Sequence, residues 1–186
     1  MNPWQDLLLK VGDQKFQTIL ADPPWEFHDP IAFTRQRMKL PYPTLSLVEL
    51  CSMPISHLAD KRSHLYLWVP LSHIENALVL IKNWGFTYKT LLVWHKTRKD
   101  GGSDGRCVGY YFRNVAEICL FGVRGKYPQT LKPARKQVNL ISEMKREHSR
   151  KPEKMYDVIE SCSPGPYLEL FARHKRQGWM SWGNEI

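Results

Sequence analysis

The chain has 186 residues, of which 42% are hydrophobic and 24% are charged. This balance is typical of a globular domain with its own core, and it excludes a disordered or fibrous chain. No apolar stretch is long enough to span a membrane. The formal net charge of +9 favours a polyanionic partner, of which nucleic acid is the commonest. A basic soluble protein without such a partner is the alternative.

The four cysteines are far apart in the sequence and form no CxxC pair. This spacing argues against the usual zinc and redox motifs and against a disulfide framework. The N-terminal MNPWQDLLLK also lacks the basic-then-apolar pattern of a signal peptide. We therefore expect a reducing, intracellular compartment.

Short apolar runs alternate with helical patterns along the chain. The predicted strands are 16–21, 64–69, 90–95, 116–121, 138–143, 167–172 and, more weakly, 179–182. Helical spacing occurs over 47–58, interrupted by Pro54, over 74–81, and after Lys151-Pro152. Continuous apolar strands suit a sheet that is covered on both faces. The alternation predicts an α/β fold with a largely parallel sheet.

Three segments fit neither pattern: 26–44, 97–113 and 122–137, all rich in Gly, Pro, Arg and Lys. We expect a single catalytic domain over 1–186 in which these basic segments are loops. Ligands of open α/β sheets bind at the carboxyl ends of strands, where loops carry function. Plain surface connections are the alternative, but three long loops in one compact domain are uncommon.

The first of these loops begins next to the stretch DPPW, residues 22–25. The run FQTILA delivers Asp22 to the carboxyl end of a buried strand, and Pro23 and Pro24 stiffen the backbone while keeping their carbonyl acceptors. Trp25 offers a flat aromatic face. A carboxylate, a rigid carbonyl and an aromatic plate suit the exocyclic amino group of a nucleobase. The alternative is a plain Asp-Pro turn with Trp25 in the core.

DPPW and six further segments in the same order resemble the MT-A-seventy family of amino-methyltransferases. The other segments are LPYPTLS (40–46), the strands LYLWV (65–69) and LLVWHKT (91–97), EICLFGVRG (117–125), HSRKPEKMYDVIE (148–160) and YLELFAR…GWMSWGNE (167–185). DPPW precedes the main cofactor-binding strand, which is the permuted order of that family. The resemblance implies a Rossmann-like methyltransferase fold, with a mostly parallel central sheet and helices on both faces.

The resemblance also implies transfer of a methyl group from S-adenosylmethionine to the 6-amino group of adenine. The compact chain favours the bacterial and phage branch, with DNA as substrate in the cytoplasm of a prokaryotic cell or an infected host. The same reaction on RNA, an inactive nucleic-acid-binding partner subunit and a small-amine methyltransferase are the alternatives. Monomer and homodimer both stay open.

Site residues carry over from the resemblance position by position. Asp22, Pro23, Pro24 and Trp25 would be catalytic, with Asp22 also contacting the methionine end of the cofactor. Lys151, Glu169, Arg173 and Asn184 would complete the cofactor site, with Lys151 on the cofactor carboxylate. Tyr42 would line the base pocket, and Asp6 is the nearest candidate for an acidic contact with the cofactor adenine.

Positive charge is concentrated in the loops. Between Arg124 and Lys154 there are ten Lys or Arg and three Asp or Glu, which suits phosphate contacts. The predicted substrate contacts are Arg35, Arg37, Lys39, Arg106, Lys132, Arg135 and Lys136. A duplex adenine must leave the stack to be methylated, and Tyr110, Tyr111 and Phe112 are candidates to assist, with simple packing as the alternative.

Overall fold

The structure is a computed structural model that describes residues 3–27, 43–105, 111–126, 128–132, 134–145 and 150–186. The helices are α1 (Gln5–Val11), α2 (Leu47–Ser52), α3 (Ile55–Leu58), α4 (Ile74–Asn83) and α5 (Lys154–Cys162). The strands are β1 (Phe16–Ala21), β2 (Ala59–Val69), β3 (Thr87–Thr97), β4 (Ala116–Arg124), β5 (Leu140–Met144), β6 (Tyr167–Leu170) and β7 (Trp179–Trp182).

The strands form one seven-stranded sheet in the order β5-β3-β4-β2-β1-β6-β7. Strand β4 runs antiparallel to both of its neighbours, whereas all other pairs are parallel. The α/β class and the mostly parallel sheet are therefore confirmed. The chain leaves β1 toward β2 on one side and returns as β6 on the other side. Such a switch point opens a crevice at the carboxyl ends of the strands.

Side chains of the central strands alternate between two apolar cores. Ile19 and Leu67 belong to the core that also contains residues of α2, α3 and α4, whereas Leu20 and Tyr66 belong to the core that contains residues of α5. Helices therefore cover both faces of the sheet, as the continuous apolar runs predict. Burial on both faces fixes the position of β1, and with it that of Asp22, which follows β1 directly.

Three local differences from the sequence predictions have simple causes. The 47–58 pattern forms two helices, because Met53 and Pro54 leave the helical conformation between them. Ser46 and Glu49 form a capping box that starts the first of these helices. The predicted strand 167–172 ends at Leu170, since Phe171 has a φ of 62°. Helix α1 was not predicted, because its seven residues are too few to show a clear period.

A buried polar chain ties β2 to the end of α5. His64, Tyr66 and Ser163 are almost fully buried. The His64 Nε2–Pro128 carbonyl distance is 3.0 Å, so Nε2 must carry the proton and donate. His64 Nδ1 then accepts from the Ser163 hydroxyl at 2.7 Å, and Ser163 Oγ accepts from Tyr66 at 2.7 Å. Burial lowers the pKa of His64 despite its bond to the Pro128 carbonyl, so the ring is held neutral.

None of the helices in the described ranges is both long enough and apolar enough to cross a lipid bilayer.

We expect the free energy of unfolding to fall as the pH drops below 6.5, the ordinary pKa of histidine. Because the pKa of His64 is lower in the folded state, the unfolded chain takes up the proton first, and acid favours unfolding. Urea denaturation between pH 5 and 7.5 would measure the effect, which should shrink in His64→Gln. The exposed His57 provides the control, since His57→Gln should keep the wild-type slope. Parallel curves for wild type and His64→Gln would contradict this role.

Candidate functional site

The carboxyl ends of β1, β2, β6 and β7 surround an open cleft of about 450 Å³. Because β1 and β6 are neighbours in the sheet, residues from distant parts of the chain meet at this edge. The cleft is lined by Asp22–Trp25, Phe27, Pro43, Trp68–Ser72, Lys96, Asn114, Ala116, Glu117, Lys151, Phe171–Arg173, Asn184 and Glu185. Four of the residues chosen from the sequence for cofactor binding are among them: Asp22, Lys151, Arg173 and Asn184.

The segment Asp22–Trp25 is held by hydrogen bonds on both sides. The Trp25 N–H donates to the Pro23 carbonyl at 2.9 Å, and the Leu45 N–H donates to the Pro24 carbonyl at 2.8 Å. The Trp25 indole donates to the Trp68 carbonyl at 3.1 Å. The two prolines lack N–H groups, so the segment presents acceptors only. The Pro23 carbonyl keeps a second lone pair for a further donor.

Trp25 is only 5% exposed and belongs to the apolar core. The indole therefore forms a buried wall of the cleft, where we had expected an open stacking plate. Its ring lies 5.7 Å from that of His73, and His73 Nε2 bonds the Glu26 carbonyl at 2.9 Å. These contacts pin the chain that leaves the DPPW segment.

Four charged side chains form a chain of alternating sign across the floor of the cleft. Lys151 Nζ lies 2.8 Å from Asp22 Oδ2 and 3.6 Å from Glu117 Oε2. Glu117 Oε1 in turn pairs with Lys96 Nζ at 2.6 Å. The Asp22 side chain is still 29% exposed. The ion pair is therefore open to the cleft and does not enclose the carboxylate.

Sequence reasoning missed Glu117 and Lys96. A signal was present, because Glu117 interrupts the apolar run AEICLF, where an unpaired carboxylate would be costly. Burial opposes ionisation of Glu117, but Lys151 and Lys96 outweigh it and lower the pKa of the carboxyl. Burial also opposes the charge on Lys151, whereas Asp22 and Glu117 raise its pKa. Glu117 and Lys151 are therefore both charged at neutral pH.

Glu169 lies at one side of the cleft, in a small recess of about 50 Å³ that Asp22 and Lys151 also line. Tyr156 donates to Glu169 Oε1 at 2.7 Å, whereas Oε2 is buried without a hydrogen-bond partner in the described part of the chain. Burial raises the pKa of Glu169 to about 7, the Tyr156 bond opposes this, and the Asp22 charge adds to it. A buried, half-satisfied carboxylate invites a donor from a ligand.

The backbone beyond β6 is strained where it borders the cleft. Phe171 adopts a φ of 62°, a left-handed conformation that is costly for an aromatic residue. Its neighbour Ala172 bonds the Trp182 carbonyl at 2.9 Å. Gly183 passes so close to the Ala172 carbonyl that any side chain would collide with it. This close approach brings Arg173 next to Glu185, with Nε and Oε1 3.4 Å apart.

The comparisons with known proteins agree with this geometry. The family model MT-A70 matches residues 16–185. The chain belongs to the MT-A70 family. The Rossmann-like methyltransferase fold that the sequence resemblance implied is confirmed with it.

Similar proteins come from bacteria and from animals. The type II methyltransferase M.MunI of Mycoplasma sp is 29% identical, and the match covers 100% of this chain and 84% of that protein. The human N(6)-adenosine-methyltransferase catalytic subunit METTL3 is 33% identical over 92% of this chain, but the match covers only 28% of the human protein. The Drosophila melanogaster N(6)-adenosine-methyltransferase MT-A70-like protein is 33% identical, with 92% of this chain and 27% of that protein covered.

Several expected contacts of this MT-A70 chain are not brought to the cleft. Lys132, Arg135 and Lys136 flank Ala134, whose carbonyl lies 3.8 Å from Cys162 Sγ at the carboxyl end of α5. The Leu131 N–H donates to the Cys162 carbonyl at 2.8 Å. Lys151, by contrast, lies just before the other end of this helix. The three basic side chains are therefore separated from the cleft by the length of α5.

Further residues singled out from the sequence lie away from the cleft or outside the described residues. Asp6 accepts from the Trp182 indole at 2.8 Å and does not line the cleft. Arg176 pairs with Glu160 at 2.9 Å. The predicted substrate residues Tyr42, Arg35, Arg37, Lys39 and Arg106 lie outside the described residues.

We expect Glu169→Gln to stabilise the ligand-free protein above pH 7. The pKa of Glu169 is raised to about 7 from 4.5, so its contribution to stability is present below pH 4.5 and is lost as the pH rises through 7. The glutamine amide cannot ionise, so Glu169→Gln does not lose stability in this pH range. Urea denaturation at pH 5 and pH 8.5 would measure the effect, with the more exposed Glu185→Gln as control. The same pH dependence in Glu169→Gln and wild type would contradict the burial argument.

Proposed function

We propose that this chain transfers a methyl group from S-adenosylmethionine to the 6-amino group of adenine in DNA. The observation that supports it most is the pair of acceptors at the open cleft. Asp22 Oδ2 is taken by Lys151, and no partner of Oδ1 is found within the described residues. The Pro23 carbonyl accepts only the Trp25 N–H there. One carboxylate oxygen and one carbonyl lone pair thus remain for the two hydrogens of an amino group.

These acceptors would hold the amino nitrogen and direct its lone pair into the cleft. The adenine amino group is a poor nucleophile because its lone pair is delocalised into the ring. Hydrogen bonds from both N–H groups favour a pyramidal nitrogen, and the stiff proline backbone keeps the acceptors from moving. Positioning and electrostatics of this kind supply most of the catalysis. The proton lost after transfer would leave to water through the open cleft.

The residues around the cleft also fit the cofactor. S-adenosylmethionine supplies the methyl group on a positively charged sulfur when it is bound. Lys151 has three N–H donors, and its one hydrogen bond in the described residues goes to Asp22 at 2.8 Å, so donors remain for a carboxylate. The unpartnered Glu169 Oε2 would accept a ribose hydroxyl. Asn184 and Arg173 would complete the site from the ends of β7 and β6.

Features of the cleft mouth support a nucleic-acid substrate. Tyr111 and Phe112 are 84% and 85% exposed, and they lie three residues or fewer from Asn114, which lines the cleft. Exposed aromatic rings stack on unpaired bases. Arg113 follows them directly and extends the same surface with positive charge. We infer that these residues help hold the strand from which the adenine is drawn.

The choice of DNA over RNA rests on the bacterial relative. M.MunI is named as a type II methyltransferase, and this chain covers 84% of it. The eukaryotic relatives are named for adenosine methylation, but the chain corresponds to about a quarter of their length. RNA adenosine is the second candidate substrate, supported by the identity to METTL3.

Matched DNA and RNA oligonucleotides with labelled cofactor would test the proposal. We expect label in the 6-amino group of adenine in DNA, and its complete loss in Asp22→Asn, because the amide no longer offers an acceptor of full charge. Asp157→Asn, which alters an exposed carboxylate on α5, should retain wild-type turnover. Incorporation into RNA alone would reject DNA as the substrate. Turnover by Asp22→Asn would reject the acceptor geometry.

Lys151→Ala should weaken cofactor binding by roughly tenfold or more, since a charge-assisted bond contributes about 1.5–3 kcal/mol. Its effect on DNA binding should be much smaller. Calorimetry with the cofactor and anisotropy with labelled DNA would give the two values. Lys154→Ala, three residues along, removes an exposed lysine and should leave both unchanged. Equal losses of cofactor and DNA affinity in Lys151→Ala would discredit the assignment.

A further inference from the structure

A second basic surface lies at the amino-end edge of the sheet, opposite the cleft. We name it the amino-edge patch, and it consists of Lys61, Arg62, Lys126, Lys132, Arg135 and Lys136. All six residues are exposed. They come from the start of β2, from the turn after β4 and from the segment 132–136, which contacts the end of α5. Three of them are residues that the sequence suggested for substrate binding at the active site.

Contacts of the backbone place these residues together. A side chain at Gly125 would collide with the Lys61 carbonyl and lie 3.3 Å from Arg62, so the turn carrying Lys126 rests on the start of β2. The Pro128 carbonyl accepts from His64 of β2 at 3.0 Å. The Arg135 guanidinium bonds the Thr130 carbonyl at 3.2 Å. The adjacent Leu131 N–H donates to the Cys162 carbonyl at 2.8 Å, and the next residue, Ser163, bonds His64 of β2 at 2.7 Å.

The charge of the amino-edge patch is not neutralised by the protein. Residues 118–142 contain five Lys or Arg and no Asp or Glu. None of the six patch residues forms an ion pair with another residue in the described ranges. Asp60 is the acidic neighbour in sequence, and its carboxylate accepts from the Arg62 backbone. Around the cleft, by contrast, basic residues alternate with Asp22, Glu117 and Glu185.

The amino-edge patch is electrostatically independent of the cleft. Strand β2 begins at the patch and ends at Val69, which lines the cleft. Seven residues separate Arg62 from Val69, which corresponds to about 23 Å at a strand rise of about 3.3 Å. Dissolved salt largely screens exposed charges from each other beyond about 8–10 Å at physiological ionic strength.

We propose that the amino-edge patch binds the phosphate backbone of a second nucleic-acid segment while the cleft holds the segment to be methylated. Lys and Arg side chains without internal partners release counterions from phosphates, and such binding needs no base contacts. The segment would be a distant stretch of the same molecule or a neighbouring duplex. The choice of DNA as the polyanion rests on the proposed function, whereas the separation of the two surfaces does not.

The number of bound duplexes tests this proposal. Sedimentation or calorimetry with a 12-base-pair duplex, about 40 Å long at 3.4 Å per pair, should show two per wild-type chain. The variant Lys132→Gln/Arg135→Gln/Lys136→Gln should bind one. The salt dependence of the lost event should have a slope of about 2 to 3, as expected for three phosphate contacts. Cofactor calorimetry and thermal unfolding would verify that the variant is folded.

The matched control is Lys10→Gln/Lys82→Gln/Lys89→Gln, which removes the same charge from exposed lysines outside the patch. It should keep two duplexes per chain. One duplex per wild-type chain that the patch variant retains would overturn the proposal, as would equal losses in both variants. Binding of phosphatidylserine vesicles by the patch without a second duplex would overturn it in favour of a membrane surface. Loss of a sole bound duplex in the patch variant would also overturn the proposal, because the patch and the cleft would then not hold two segments at once.

Discussion

The ion pair between Lys151 and Asp22, 2.8 Å long, joins the two halves of this fold at its site. Asp22 directly follows β1, the first strand in the chain. Lys151 precedes α5, the helix that connects β5 to β6. Neither residue keeps its position unless β6 lies beside β1. Glu117 and Lys96 extend the pair across β4 and β3. Removing one member of such a partly buried network leaves an opposite charge without compensation, so the charges stabilise one another only as a set.

The ion pair also explains how a carboxylate can be paired and accessible in the same place. Lys151 engages one oxygen of Asp22, and the cleft leaves the side chain 29% exposed. The neighbouring Pro23 carbonyl is rigid because two prolines and three hydrogen bonds fix the segment. Rigid acceptors need no rearrangement when a donor arrives, which is the property that preorganised catalysis requires. Glu169 nearby shows the opposite behaviour, because burial without full pairing raises its pKa to about 7.

Charge is distributed very differently over the two edges of the sheet. At the cleft, acidic and basic side chains alternate and form ion pairs. At the amino-end edge, Lys61, Arg62, Lys126 and the segment around Arg135 carry positive charge with little acidic compensation. The net charge of +9 therefore does not describe one continuous nucleic-acid surface. It is the sum of a nearly balanced cleft and a separate basic edge.

Much of the fold could be predicted from the sequence because its signals are local. Seven apolar runs become seven strands within a few residues of the expected positions, and Pro54 divides the predicted helix where it should. The family resemblance rests on motifs that are also contiguous, and the family is confirmed. Asp22 could be placed at a strand end from the run FQTILA and the two prolines that follow it. Lys151 could be found in the same way, from its place before a helix start.

Other features depend on which strands are neighbours, and no local signal carries that information. Glu117 and Lys96 enter the site only because β4 and β3 end at the cleft, and the antiparallel direction of β4 puts its first residues there. The strained Phe171 follows from the close approach of Gly183 to Ala172. Lys132, Arg135 and Lys136 are basic and in a loop, as the sequence states, but the sheet directs that loop away from the cleft. The sequence by itself determined the elements, the family and the DPPW tetrapeptide at the end of β1, since each is written in adjacent residues. Only the tertiary structure decided which charges meet, because that depends on strand order and direction across the whole chain.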